Sequence, residues 1–406
     1  MRVARLLVTL GALALPLASG AQGRPVTRAD AIGSAIARGP RLAAVRADSS
    51  AAGARVAFAR QLENPSLSVD HSRDTPHQHY ALDVPLFAPG QRALGVRSAD
   101  AMLDAAVLRT AFEREAVALD VDTTYTWALV ARERARLSAR SAADADSLVT
   151  LARVRRDAGD ASELDVQLAM LSAGQFANGA ALDSLDALRA LIAVQAAMGL
   201  DVRDVAIALA DSLDTGAGDL TGDIDRTGVP LLVSAAQSDL EAADLALRLE
   251  RKRVWLAPSL ALGYERNDPG GSGNRILPTI GLSFPLPLLH RNRASILLAS
   301  ADRDRARAEL LRMQVELAAA LAAGARELET ARVRLTRTQA LLGAAERVAS
   351  LALLAYREGA SALPSVLEAQ RSSRETRLQY LEALGAMRSV AARQRLLTLT
   401  SQRALR

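Results

Sequence analysis

Tyr80-Ala-Leu-Asp-Val-Pro-Leu-Phe87 and Thr279-Ile-Gly-Leu-Ser-Phe-Pro-Leu286 decide the fold. Each is an alternating apolar and polar run closed by a proline, and Pro85 and Pro285 stand 200 positions apart. Gly159 and Gly359 keep the same offset, each interrupting a long helical pattern: Arg155-Arg-Asp-Ala-Gly-Asp-Ala-Ser162 is answered by Tyr356-Arg-Glu-Gly-Ala-Ser361. Upstream, Asn64-Pro-Ser-Leu67 is answered by Ala257-Pro-Ser-Leu260. An offset held over so much chain means two copies of one unit, and self-similarity of this kind outranks any local motif.

Working outward, residues 22–200 form the first copy and 230–406 the second, with a Gly-, Asp- and Thr-rich linker loop over 201–229. Each copy reads as a helix, a β-hairpin (65–86 and 258–284), then a long helical hairpin. The helical hairpins span 92–198, with a tip near Gly159, and 291–400, with a tip near Gly359. The leading helix of the first copy breaks near Gly39-Pro40.

The long helices run about 65 residues, roughly 100 Å at the α-helical rise and far beyond an ordinary globular helix. Such a helix needs partners along its whole length. Leu321, Leu328, Leu335 and Leu342 recur every seven residues, beside Leu317, Gly324, Ala331 and Ala345. On the first return helix Leu164, Leu171, Leu185 and Ile192 share one phase, and Leu168 and Leu182 another. Sustained heptads predict coiled-coil packing, with small residues letting the helices approach closely.

In the hairpins Leu67, Val69, Tyr80, Leu82, Val84, Leu260, Leu262, Tyr264, Ile280, Leu282 and Phe284 alternate with small or polar residues. That is the pattern of membrane-barrel strands with a watery lumen; a pair of soluble hairpins covering a helical core has the same period. Four strands cannot span lipid alone, because an open sheet leaves backbone groups unsatisfied in hydrocarbon. Single-chain bacterial barrels begin at about eight strands. Two copies sharing a barrel supply eight strands and three supply 12. The expected fold is therefore mainly α with a small antiparallel β part. Four strands per chain enter a shared barrel, and the helical hairpins build an α-barrel below it.

Arg2, Arg5, the apolar stretch Leu6 to Ala18 and the small residues Ser19 and Ala21 read as a secretory signal over 1–21. Elsewhere no apolar run approaches the ~20 residues of a membrane-crossing helix. The chain has no cysteine, so it has neither disulfides nor thiol chemistry. Its net charge is +5, with Lys252 the only lysine, and its arginines are dispersed among acids. Nucleic-acid binding needs a clustered basic stripe, so no nucleic-acid partner is expected.

His71, His77 and His79 read as solvated loop histidines rather than a metal site, and His290 as lining a barrel–helix junction. Gly270-Gly-Ser-Gly273 is a turn, since no strand-to-helix transition with a following Lys-Ser/Thr accompanies it. With no acid/base pair or nucleophile motif, an enzyme is not expected, nor any cofactor.

These residues resemble the TolC-like outer-membrane efflux proteins over almost the whole chain. The resemblance rests on Val84-Pro-Leu-Phe-Ala-Pro-Gly-Gln-Arg92 and Phe284-Pro-Leu-Pro-Leu-Leu-His-Arg-Asn-Arg293, leaving the strands. It rests also on the tips Gly159-Asp-Ala-Ser-Glu-Leu-Asp-Val166 and Tyr356-Arg-Glu-Gly-Ala-Ser-Ala-Leu-Pro-Ser-Val-Leu-Glu-Ala-Gln370. The segment after Phe284 looks most like the heavy-metal, CzcC-like branch.

The resemblance implies a homotrimer with a 12-stranded barrel in outer-membrane lipid and a long periplasmic α-barrel. It implies docking on a periplasmic adaptor and an inner-membrane pump of RND or ABC type. Arg156, Gly159, Asp160, Ser162, Glu163, Asp165, Tyr356, Arg357, Gly359 and Ser361 would then form the periplasmic tip, where the adaptor docks. Pro85, Gly90, Pro285, Pro287 and Arg291 would mark the barrel–helix junction. The tip acids read either as a cation-favouring ring or as ordinary helix-start acids, and Ser162 and Ser361 as N-caps. A type I protein-secretion channel shares this fold, and a soluble periplasmic coiled-coil adaptor shares the heptads. Many relatives carry a lipidated first cysteine, which this chain lacks, and its C-terminal segment is short.

Overall fold

The computed structural model describes residues 23–73, 77–86, 89–201, 207–213, 228–254, 258–266, 276–287 and 291–400. The expected signal segment, His290, Gly270-Gly-Ser-Gly273 and most of the linker lie outside the described residues. In chain order the elements are β1 (Arg24–Val26), α1 (Arg28–Arg38), α2 (Pro40–Arg60), β2 (Ser66–His71), β3 (Gln78–Pro85), α3 (Gln91–Asp157) and α4 (Glu163–Ala197). There follow β4 (Ile207–Leu209), α5 (Leu231–Lys252), β5 (Ser259–Arg266), β6 (Ile276–Ser283), α6 (Arg293–Arg357) and α7 (Leu363–Leu397). The chain divides into two compact units, and the long helices contribute to both.

The first unit takes Met1–Ala37, Val121–Ala217 and Ala340–Gly385. Its core is made of small side chains: Ala145, Ala152, Ala169 and Ala173 pack with Leu148, Val166, Tyr356, Leu363 and Val366. Here β1 and β4 pair in parallel, Arg24 opposite Ile207. The sequence reading expects only loop at β4; a three-residue strand is too short to show a period. Its pairing is fixed from outside the strand. The Tyr125 hydroxyl donates to Val26 O at 2.8 Å, and the two terminal nitrogens of Arg132 donate to Leu209 O and Asp211 O at 2.7 Å.

Three helices of this unit meet at one buried charge. The Asp183 side chain on α4 is 4% exposed. It accepts from Arg134 Nε on α3 at 2.7 Å, from the Ser138 hydroxyl, and from Arg374 Nη2 on α7 at 3.3 Å. Arg374 also lies over the Phe176 ring, 5.6 Å from its centroid. The second copy does not repeat this cluster. At the same offset Asp183 becomes Ala383 and Ser138 becomes Thr338, whose hydroxyl bonds back to Arg334 O at 2.9 Å. The position matching Arg374 in the first copy is Gly174.

The heptad reading needs one correction. On α6 the expected seam is the sheltered face. On α4, however, Leu164, Leu171, Leu182, Leu185 and Ile192 are exposed, and the buried positions are Val166, Ala169, Ala173, Asp183, Val194 and Gln195. This helix carries two apolar stripes, and the chain's own hairpin takes the small-residue one. The leucine stripe is left uncovered in a single copy.

The second unit takes Arg38–Asp120, Gly218–Gln339 and Ala386–Arg406. It holds an antiparallel sheet in the order β2-β3-β5-β6, so among the described residues the edge strands β2 and β6 have no further neighbour. Ala101, Ala242 and Leu245 form a small helical core beside Leu94. The Ser98 hydroxyl donates to Ala242 O at 2.9 Å across α3 and α5.

Candidate functional site

The sheet register puts the apolar side chains of the hairpins in continuous rows. Leu67 faces Leu82, Leu82 faces Leu262, and Leu262 faces Ile280. Val69, Tyr80 and Tyr264 form the next row, and Val84, Leu260 and Leu282 a third. Tyr80 and Tyr264 stack at 4.6 Å. No described residue covers this face: Leu67 is 69% exposed, Ile280 79% and Leu282 53%. The other face alternates Ser66, Asp83, Ala261 and Gly281 with Ser68, Ala81, Gly263 and Thr279. Phe284 lies just beyond β6 and is exposed too.

The histidines need a correction. His71 ends β2 and His79 lies within β3, so neither is a loop residue. His79 Nδ1 stands 3.3 Å from Glu265 Oε1, and His77 Nδ1 3.3 Å from Ser72 O. Among the described residues no group of three or more His, Asp or Glu is arranged to hold a metal ion.

At the opposite end of the sheet from the loops, the strands pass into helices. Gly90 precedes α3 with φ +79°, and the Lys252 ammonium fills the place a Cβ would take. Asn292 precedes α6 with φ 52°, and its amide donates to Glu250 O and Glu250 Oε2, both at 2.8 Å. Both helices thus start from a left-handed residue, a role glycine and asparagine tolerate. Gln91 Nε2 donates to Lys252 O at 2.9 Å and Arg92 Nη2 to Arg60 O at 2.6 Å. The carbonyls that end α5 and α2 are satisfied in this way. Pro85 closes β3 opposite Ser259, while Pro285 and Pro287 lie past β6 and Arg291 is exposed. The sequence reading named Gly90 and Arg291 but missed Gln91, Arg92 and Asn292, whose roles depend on partners distant in the chain.

At the far end of the hairpins both tips close by one device. Gly159 has φ +84°, with Gly159 N donating to Arg156 O and Asp160 N to Arg155 O. Gly359 has φ +78°, with Gly359 N donating to Tyr356 O and Ala360 N to Ala355 O. These are Schellman motifs, in which a left-handed residue satisfies the last helical carbonyls. Open space surrounds the Gly159 Cβ position, and Arg155 makes only ordinary contact at Gly359. Backbone conformation alone therefore selects glycine. Gly159→Ala and Gly359→Ala are each expected to cost about 1 kcal/mol. Thermal denaturation of the two single variants checks this, with the double variant additive.

Ser162 caps α4 in a reciprocal box: Asp165 N donates to its hydroxyl at 3.2 Å, and Ser162 N donates to Asp165 Oδ2 at 2.9 Å. Ser361 does not cap α7, since its hydroxyl reaches only Ala362 O at 3.5 Å. Arg156 bridges the turn, bonding Asp157 at 2.7 Å and Glu163 at 3.0 Å. The bond from Gln167, then that from Arg156, holds the Glu163 carboxyl below its usual range. The bridge therefore contributes above the ordinary carboxylate pKa and is lost as pH falls through the lowered one. With Asp165 in the cap and Glu163 paired, Asp160 is the one of the three expected acids whose carboxylate has neither an ion pair nor a hydrogen bond among the described residues.

Tyr356 is buried in the tip core, while Arg357 is exposed with no ion pair among the described residues. Burial raises the Tyr356 hydroxyl above its ordinary pKa. Arg155 lies over the Tyr356 ring at 4.7 Å and donates to Tyr356 O, joining the two hairpins. Arg155 was missed by the sequence reading. Its counterpart Ala355 shows the two copies diverging there, a signal that aligning the repeats exposes.

A family model described as outer membrane efflux protein matches residues 31–200 and 231–402, two segments that part at the linker. The chain is 25% identical over 344 residues to the cobalt-zinc-cadmium resistance protein CzcC of Cupriavidus metallidurans, covering 80% of this chain and 79% of that protein. Among solved structures it is similar to CusC, with TM-score 0.76 and 14% identity over 96% of each chain. It is similar also to the CmeC outer membrane channel of Campylobacter jejuni, with TM-score 0.70 and 13% identity over 91% of this chain and 85% of that one. The open-state MtrE outer membrane channel of Neisseria gonorrhoeae gives TM-score 0.70 and 16% identity over 91% and 88%.

Proposed function

The chain belongs to the outer membrane efflux protein family, and from that premise we propose that three copies form one conduit out of the cell. It is an outer-membrane transport channel with a large helical periplasmic part, not an enzyme. In the proposed assembly each copy supplies four strands to a 12-stranded barrel. The apolar rows from Leu67 to Phe284 face lipid, and the helical hairpins form a periplasmic tube. Conduction is passive, and the tips around Gly159 and Gly359 dock on a periplasmic adaptor served by an inner-membrane pump. The observation that carries this reading is the sheet: among the described residues its registered apolar face is left bare and its two edges, β2 and β6, are unpaired. In hydrocarbon such edges must be closed by another strand.

The uncovered leucines of α4, with Leu341, Val348, Leu351 and Leu354 on α6, support side-by-side packing of copies in the tube. Leu171→Ser with Leu185→Ser is expected to abolish the oligomer while helix content survives. Gel mobility without heating, beside circular dichroism, separates the two effects. A trimer of unchanged heat stability would contradict the packing.

We propose divalent metal cations as the cargo, a reading supported by the likeness to a cobalt-zinc-cadmium resistance protein. Deleting the gene should sensitise the host to cobalt, zinc and cadmium, with recovery on complementation. Unchanged tolerance together with loss of a secreted polypeptide would favour the type I secretion reading instead.

A further inference from the structure

Four helix ends converge where the sheet passes into the helices: the last turns of α2 and α5 and the first turns of α3 and α6. The bonds from Gln91, Arg92 and Asn292 to main-chain carbonyls hold them together. Along the chain their charges look dispersed, as the sequence reading expects, but in space they gather. Arg60, Arg92, Arg97, Arg251, Lys252, Arg253, Arg291 and Arg293 are all exposed there, against the carboxylates of Glu63, Asp100 and Glu250. That excess equals the net charge of the whole chain, +5.

Helix dipoles account for only half of this collar. Cations suit the C-terminal turns of α2 and α5, but α3 and α6 begin with arginines and no acid in the first turn. Asp100 and Glu250 are already engaged, by Arg60 at 3.3 Å and Arg253 at 2.6 Å. Arg97, Arg251 and Arg291 have no ion pair or hydrogen bond to a described residue. A second observation points to what they face. Phe58 (78% exposed), Leu62, Phe284 and Leu286 stand bare among these cations. Exposed apolar and aromatic groups interleaved with arginine are the composition of a membrane interface.

We propose that this collar binds the headgroups of anionic phospholipids in the leaflet from which the helices emerge. The inference rests on the outer-membrane barrel reading, which places the strand-to-helix end of the sheet at that leaflet. The apolar side chains enter the acyl boundary beneath the barrel rows, and the guanidinium groups take the phosphates by forked hydrogen bonds. The charges thereby fix the depth of the barrel.

Native mass spectrometry of the detergent-purified full chain, titrated with phosphatidylglycerol or phosphatidylcholine, tests the collar. The protein should prefer phosphatidylglycerol by about tenfold or more, and Arg97→Gln/Arg251→Gln/Arg291→Gln should remove most of that preference, since each cation near an anionic surface contributes appreciably. Arg332→Gln/Arg337→Gln/Arg347→Gln, away from the collar, should leave it intact. Should the collar variant fail to fold, raising salt on the wild type gives the same reading, because phosphate attraction is screened. Equal binding of both lipids, or a preference that survives the collar substitutions, overturns the proposal while leaving the channel reading in place. Equally effective competition by soluble glycerol phosphate also overturns it, as that marks a site for free phosphate. A chain that never enters membranes removes both readings.

Discussion

Leu262→Arg should leave the chain soluble or aggregated in the periplasm instead of embedded as an oligomer. Leu262 lies mid-row, between Leu82 and Ile280 on the bare apolar face. An arginine at the bilayer midplane costs about 2–4 kcal/mol in a barrel, and the proposed threefold assembly would take that cost three times over. Ala261→Arg, one residue away but on the polar face beside Asp83, should insert normally and alter only conduction. Membrane fractionation of the two variants reads the difference. Equal insertion of both would mean that this face does not meet lipid.

The second large effect is expected at Asp183. Removing one partner of a buried charge cluster costs about 3–5 kcal/mol. Arg134 and Arg374 retain 41% and 22% side-chain exposure and can partly rehydrate, so Asp183→Ala should fall near the lower figure. The double variant Asp183→Ala/Arg374→Gly gives each position the residue of its counterpart in the other copy, Ala383 for Asp183 and Gly174 for Arg374. It should recover part of the loss, because the more buried of the two cations is then gone and only the more exposed Arg134 is left without Asp183. Heat-induced dissociation measured for wild type, both single variants and the double variant gives the coupling directly. Strict additivity would show that Asp183 and Arg374 act independently.

The duplication, the four strands and the paired tips were legible because each rests on a period or an offset. Pro85 and Pro285, and Gly159 and Gly359, carry their meaning in sequence spacing alone. What escaped depends on contacts between distant segments. Which stripe of α4 faces its own hairpin was not decidable from heptads, since leucine and small-residue stripes both satisfy the period. The β1–β4 pair is too short for a pattern. Arg155, Gln91, Arg92 and Asn292 act on carbonyls far along the chain. Ser361 matches Ser162 by motif, yet α7 starts at the same repeat position as α4 while the serine falls one residue early, so Ala362 holds the cap position and the cap is lost.

The central claim is that the apolar rows of the sheet face acyl chains and its polar face lines water. A chain without cysteine allows a direct measurement by single cysteines introduced along β5, at Leu260, Ala261, Leu262 and Glu265. In reconstituted membranes a nitroxide at 260 or 262 should be relaxed by oxygen dissolved in the bilayer. One at 261 or 265 should be relaxed by a water-soluble nickel chelate. Four positions with the same water accessibility would contradict the account.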